Sequence, residues 1–98
     1  MRIIAKRTLR SFYMMPEYAD SRSALEAWYH EVAKAGWDTP ADIKKMYRSA
    51  SFVKDKVVFN IAGNKYRLIV KINYPARIVF VKFVGTHKMY DAIDVGEL

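Results

Sequence analysis

The sequence predicts an α+β fold, with a small antiparallel sheet and N-terminal helices packed on one of its faces. Apolar residues in the first half recur at helical spacing, as in Leu25, Trp28, Tyr29, Val32 and Ala35. Those in the second half alternate with polar ones, as in Val57, Phe59 and Ile61 and again in Tyr66, Leu68, Val70 and Ile72. Helices come first and a meander of strands follows, with no internal repeat, low-complexity tract or linker. The chain of 98 residues is expected to form one domain over 1–98, large enough for a single core.

Ile3 and Ile4 are β-prone and suit a short edge strand. Leu9, Phe12 and Tyr13 then have helical spacing over about 5–14, and Pro16 stops that helix. Asp20 or Ser21 is the expected N-cap of the next helix, roughly 21–35, with Gly36 just past its end. Thr39-Pro40-Ala41-Asp42 starts a short helix over about 40–47: threonine caps, proline takes the first helical position and an acid follows. Ile43, Met46 and Tyr47 are expected inward, while Lys44, Lys45 and Arg48 complement the dipole at its C-terminal end.

From Ser51 the character changes. Phe52-Val53 and Val57-Val58-Phe59 are strand-like, with Lys54-Asp55-Lys56 between them as a turn or bulge. A two-residue turn centred on Gly63-Asn64 sets Asn60 opposite Arg67, Phe59 opposite Leu68 and Ile61 opposite Tyr66. Val58, Asn60, Arg67, Ile69 and Lys71 then share the face away from the core, because a slip of one residue would bury Arg67 and Lys71. Pro75 suits a second turn that pairs Ile72 with Val79, Val70 with Val81 and Leu68 with Phe83, leaving Lys82 on the Arg67 face. The last strand is expected to end at Gly85, and Thr86 to Asp91 to leave the sheet as a turn or short helix.

The formal charge is +7, and residues 54–88 alone carry eight Lys/Arg against one acid, Asp55. So concentrated a charge points to a polyanion, RNA or DNA before anionic lipid. No cysteine is present, which excludes a disulfide framework and thiolate metal sites and fits a reducing, cytoplasmic setting. Arg2, Lys6, Arg7 and Arg10 interrupt any signal-peptide run, and no stretch is long and apolar enough to span a membrane, so no membrane partner is expected.

No metal is expected, because His30 and His87 are far apart and neither has a carboxylate at ligand spacing. No other cofactor is implied: phosphate-cradling glycine loops and a nucleophile elbow are absent. What remains is Arg67 on the open sheet face, with His87 and Tyr90 just past the last strand. Arginine neutralises a phosphoryl group, histidine moves protons near neutral pH, and tyrosine donates a proton or stacks on a base. Together they suit cleavage of an RNA phosphodiester in which the adjacent 2′-OH is the nucleophile. Around them Lys54, Lys56, Asn60, Lys65, Lys71, Lys82 and Lys88 are the candidate RNA-binding residues.

The segments VVFNIAGNKYRLIV and FVGTHKMYDAID resemble the HigB family of toxins within the RelE-like superfamily of mRNA interferases. The resemblance extends to RIIAKRTLRSF, AWYHEVAKAGWDTPADIKK and NYPARIVFVKF, and so covers nearly the whole chain. It implies a toxin of a type II toxin–antitoxin pair that cuts mRNA, typically on the translating ribosome, and is neutralised by a HigA-type antitoxin. It also implies that Arg67, His87 and Tyr90, which fall in the two matching motifs, are catalytic, with Lys82 a weaker candidate. Other branches of the superfamily use a glutamate base, and the open face here offers no matching acid. A non-catalytic RNA- or DNA-binding module on the same basic face is the alternative reading, and a partner-binding scaffold without nucleic acid a third.

Overall fold

The computed structural model describes residues 1–98. The chain runs β1 (Arg2–Ile4), α1 (Lys6–Tyr13), α2 (Arg22–Lys34), α3 (Pro40–Met46), β2 (Ser51–Val53), β3 (Lys56–Ile61), β4 (Tyr66–Asn73), β5 (Ile78–Thr86) and α4 (His87–Asp91). Short 3-10 turns lie at Pro16–Ser21 and Val95–Glu97. The five strands form one sheet in the order β1-β5-β4-β3-β2. The meander β2 to β5 is antiparallel as expected, while β1 joins the free edge of β5 in parallel, so the whole sheet is mixed. A strand that precedes all the helices has a long path back to the sheet, which permits the parallel pairing.

Alternation puts Val57, Phe59, Ile61, Tyr66, Leu68, Val70 and Val79 on one face, where they meet Leu9, Phe12, Tyr13, Leu25, Trp28, Val32, Trp37 and Ile43 from the helices and their loops. Aromatic rings dominate the contact: Trp28 meets Phe59 edge-on at 5.5 Å, and Trp37 stacks on Phe59 at 6.3 Å. Each such side chain, fully buried, contributes about 1.5–3 kcal/mol. Met46 is the exception to the expected inward set: it is the last residue of a helix that ends one position short of the expected bound, and it faces solvent. At the start of that helix, Asp42 accepts from the backbone N–H groups of Asp38 and Thr39 at 2.9 and 3.1 Å. Those two donors hold its carboxyl below the usual carboxylate range.

Neither Asp20 nor Ser21 caps α2 with its side chain. The Ser21 hydroxyl donates to the Tyr18 carbonyl at 2.7 Å. Asp20 instead reaches across to β4, pairing with Lys65 and accepting from the Tyr66 hydroxyl, and so ties the helical layer to the end of the β3–β4 hairpin. Lys65 first and Tyr66 second hold the Asp20 carboxyl below its ordinary value. On the opposite sheet face, Asp55 pairs with Lys56 at 2.8 Å and Lys71 at 3.4 Å, and Lys56, then Lys71, depress its carboxyl in the same way.

The pairing of β4 with β5 differs from expectation at one point. Ile72 pairs Val79 and Val70 pairs Val81, but Leu68 pairs Val84 rather than Phe83. A bulge between Ile69 and Val70 leaves Lys82 as the extra residue on β5. The bulge lets Phe83 stand opposite Ile69 on the outer face while Val81 and Val84 both turn toward the core.

The depressed Asp20 and Asp55 carboxyls fix the sign of the acid response. Unfolded aspartates titrate near ~3.9, and these two release their protons more readily in the folded state. Their stabilisation is present above about pH 4 and is lost as pH falls through the folded values. Denaturant unfolding followed from pH 7 to pH 2 is therefore expected to be level at first and to weaken below about pH 4. Asp20→Asn and Asp55→Asn should each shrink that acid-dependent loss. An unchanged loss in the double variant would assign it to other carboxyls.

Candidate active site

Arg67 lies on β4 between Tyr66 and Leu68, both buried in the core, so its side chain emerges on the face away from the helices. Its register partners are Asn60 on β3 and Gly85 on β5. Gly85 lets the segment beyond β5 fold down close to the sheet. A Cβ there would stand 2.6 Å from Phe83 Cζ and 3.0 Å from Met89 Sδ. Thr86 then starts α4 by accepting from the Met89 N–H through its hydroxyl at 3.1 Å. The single helical turn that follows carries His87 and Tyr90 back over Arg67.

The structure thus brings Arg67, His87 and Tyr90 together. Arg67 Nη2 lies 3.1 Å from His87 Nδ1, and the guanidinium carbon sits 5.9 Å from the centre of the Tyr90 ring. The His87 and Tyr90 rings meet edge-on at 6.4 Å. Arg67 Nη1 also donates to the carbonyls of Asn64 and Tyr66 at 2.9 and 3.2 Å. Its partners are backbone carbonyls and an imidazole, so its positive charge is left for an incoming anion. Asp91, which sequence reasoning did not single out, places Oδ1 3.5 Å from His87 Nε2. The signal was the four-residue spacing of His87 and Asp91, which becomes a contact only once the segment is helical.

The outer sheet face is partly covered. Val95 packs on Val58 and Ile69, joined by Val53, Phe83, Tyr90 and Ile93. The C-terminal residues therefore cross the middle of the face that the sequence left open. They also fix Tyr90, one side of which belongs to this small cluster. The alternation could not reveal this, because Val58 and Ile69 look alike whether solvated or capped by a distant segment.

This cover and the acidic residues re-sort the basic set. Lys56 is withdrawn from it: its side chain is only 3% exposed and is neutralised by Asp55. Lys65 is turned to Asp20 at the helical side, away from Arg67. Lys54 lies against Gly96 with Nζ 4.0 Å from Glu97, and Lys71 is half exposed beside Asp55. Lys82 and Lys88 are exposed on β5 and α4, and Asn60 is half-buried beside Arg67. Lys82 reaches over the Phe80 ring at 5.9 Å, and Phe80 in turn stands opposite Lys71 on β4 and Ile4 on β1. The outer face thus has two uncovered ends: one with Arg67, the other with Phe80, Lys71 and Lys82.

No three His, Asp or Glu side chains gather at metal-ligand spacing. A cavity of about 180 Å³ lies at the opposite end of β3, lined by Phe52, Val57, Ile72 and Tyr74 among others, and is separate from the Arg67 cluster. No helix is long and apolar enough to cross a membrane.

Residues 21–93 match the family model of the HigB toxin, described as the RelE-like toxic component of a toxin–antitoxin system. The chain is 28% identical over 94 residues to the mRNA interferase toxin HigB of Escherichia coli K12, a match covering 93% of this chain and 88% of that protein. The mRNA interferase HigB of Escherichia coli O6:H1 is 25% identical over 80 residues, covering 79% and 78% of the two chains.

The close approach at Gly85 makes a direct test of the geometry. Gly85→Ala forces Phe83 and Met89 apart from the strand and lifts α4 from Arg67. It is expected to cost about 1–3 kcal/mol of stability and to abolish the magnetic coupling between the Arg67 and His87 side chains seen as nuclear Overhauser contacts. A variant of wild-type stability that keeps those contacts would show that α4 does not depend on the glycine.

Proposed function

The chain belongs to the HigB family, the RelE-like toxic component of toxin–antitoxin systems, and from that premise we propose that it is an endoribonuclease that cuts messenger RNA. The observation that carries the reading is the meeting of an un-neutralised arginine, a histidine and a tyrosine at one end of a basic sheet face. The reaction is an in-line attack of the RNA 2′-OH on its own phosphodiester. Arg67 stabilises the additional negative charge of the pentacoordinate phosphorane. His87 and Tyr90 position the strand, accept the 2′-OH proton and protonate the departing 5′-oxygen. The products are a 2′,3′-cyclic phosphate, or its opened 3′-phosphate, and a 5′-hydroxyl.

Lys82, Lys71, Lys88 and Asn60 line the path to and from Arg67, with Lys54 at its margin. Lys56 is left out because it is buried against Asp55, and Lys65 because it turns to Asp20 on the helical side. The substrate is mRNA on the translating ribosome in the cytoplasm, and a HigA-type antitoxin restrains the protein in the cell. The basic face offers an acidic segment of such a partner an electrostatic target.

Arg67→Ala is expected to slow cleavage by on the order of 100- to 1,000-fold, the scale for losing one charge-stabilising donor. Folding should be little affected, because the half-buried side chain lies on the outer face, outside the main core. His87→Gln should cost about 100-fold or more. Lys71→Ala with Lys82→Ala should flatten the salt dependence of RNA binding by roughly one log–log unit per lost phosphate contact. Cleavage of translating mRNA, with analysis of the new ends, reads the first two, and RNA-binding titrations across a range of salt concentrations read the third. Ends bearing a 5′-phosphate, or wild-type rates in Arg67→Ala, would defeat the mechanism. Binding without strand breaks would favour the non-catalytic nucleic-acid module.

A further inference from the structure

We propose that Asp91 is a positioning residue for His87, and that the Arg67–His87 contact is a resting latch which a substrate phosphate opens. The inference rests on the ribonuclease reading above and names the atom that takes the proton. A guanidinium has donors only. Its Nη2 can therefore lie 3.1 Å from His87 Nδ1 only if that nitrogen presents its lone pair. The neutral ring then carries its hydrogen on Nε2, and Nε2 faces Asp91 Oδ1 at 3.5 Å. Both ends of the imidazole are thus defined by charged neighbours one helical turn and one strand away. Tyr90, packed edge-on to the ring, limits its rotation.

In this resting arrangement the base is occupied, since its lone pair is engaged by Arg67. A phosphate that takes the guanidinium as a partner draws Nη2 away and exposes Nδ1 beside the ribose attached to that phosphate. The 2′-OH then gives its proton to Nδ1 as O2′ bonds to phosphorus, and the P–O5′ bond breaks. O5′ takes a proton from the Tyr90 hydroxyl, and the imidazolium returns its Nδ1 proton to the tyrosinate through solvent, closing the cycle. The Asp91 carboxylate holds Nε2–H throughout and balances the imidazolium charge while it lasts. Once protonated, Nδ1–H repels the guanidinium, so the latch cannot re-form until the proton has left. The charged groups in contact with the ring are Arg67 and Asp91, and Lys88 is its exposed neighbour in the chain.

The tautomer is measurable without any cleavage. In the free protein, long-range proton–nitrogen correlation spectra of His87 are expected to show the Nε2–H form, and Asp91→Ala to shift it to a mixture of both forms. A non-cleavable 2′-deoxy oligonucleotide should change the Nδ1 signal in the wild type but not in Arg67→Ala. In cleavage assays, Asp91→Ala should lower kcat by on the order of 10- to 100-fold with little change in KM. Asp91→Glu should recover part of the loss. In a His87→Ala background the Asp91→Ala change should add nothing, because the pair acts as a unit. A resting Nδ1–H form, or an Asp91→Ala cost that is equally large without His87, would overturn the inference. A wild type that cuts no RNA would overturn the ribonuclease reading instead, and the spectra would then decide this inference alone.

Discussion

The register between β3 and β4 is the constraint from which the rest of the structure follows. Six consecutive pairs, from Lys56↔Lys71 to Ile61↔Tyr66, set two faces at once. The pairs Val57↔Val70, Phe59↔Leu68 and Ile61↔Tyr66 all point at the helices and fill the core. The pairs between them point outward and include Asn60↔Arg67. A slip by one residue would place Arg67 among Leu9, Phe12 and Trp28, where an unpaired charge is far more costly than any ladder hydrogen bond is favourable. The same apolar driving force that builds the core therefore also holds the catalytic candidate outward. Asp20 reinforces the choice from the helical side by binding the residues at the end of the hairpin, Lys65 and Tyr66.

Net charge is a poor guide to which cations can meet a ligand, and the acids decide the matter. Asp20 neutralises Lys65, Asp55 holds Lys56 and shares Lys71, Asp38 takes Arg77, and Glu97 approaches Lys54. Such pairs add little stability where they are exposed, but they sort the cations: Lys56 is buried against its partner and Lys65 is turned to the helical side, while Lys54 and Lys71 stay at least half exposed. Arg67 escapes this because its neighbours are carbonyls and an imidazole. The positive field of the face remains, and long-range attraction depends on that field rather than on the pairing of single residues.

The antiparallel meander, its two faces and the three N-terminal helices were legible in the sequence because burial imposes distinct periods on strands and helices. The meeting of Arg67 with the HKMYD segment was legible for the same reason, since strand direction and length bring the end of β5 beside the start of β4. Less legible was whatever depends on one extra residue or on distant partners. The bulge at Lys82 has no glycine to announce it, so Leu68 was matched to Phe83 rather than Val84. Asp20 resembled a helix cap because short-range capping is the usual role of an aspartate before a helix. Lys56 looked exposed because alternation gives the face of a residue but not what covers that face.

The C-terminal segment shows how so short an element as α4 can be placed with enough precision to matter. Five residues cannot hold a helix by their own hydrogen bonds, since nucleation is unfavourable and propagation has hardly begun. Here the turn is fixed at three points instead. Thr86 caps its start, Met89 seats against Gly85, and Tyr90 packs with Phe83, Ile93 and Val95 over Ile69. The apolar patch on the outer face therefore serves as a footing for the site rather than as a second core. His87, Tyr90 and Asp91 lie three and four residues apart, so one turn presents all of them on the same side. Arg67 comes to that side from a strand whose position the core has already set. A single helical turn and a strand of the sheet thus meet where Arg67 touches His87 and Tyr90, and it is on that meeting that the proposed chemistry rests.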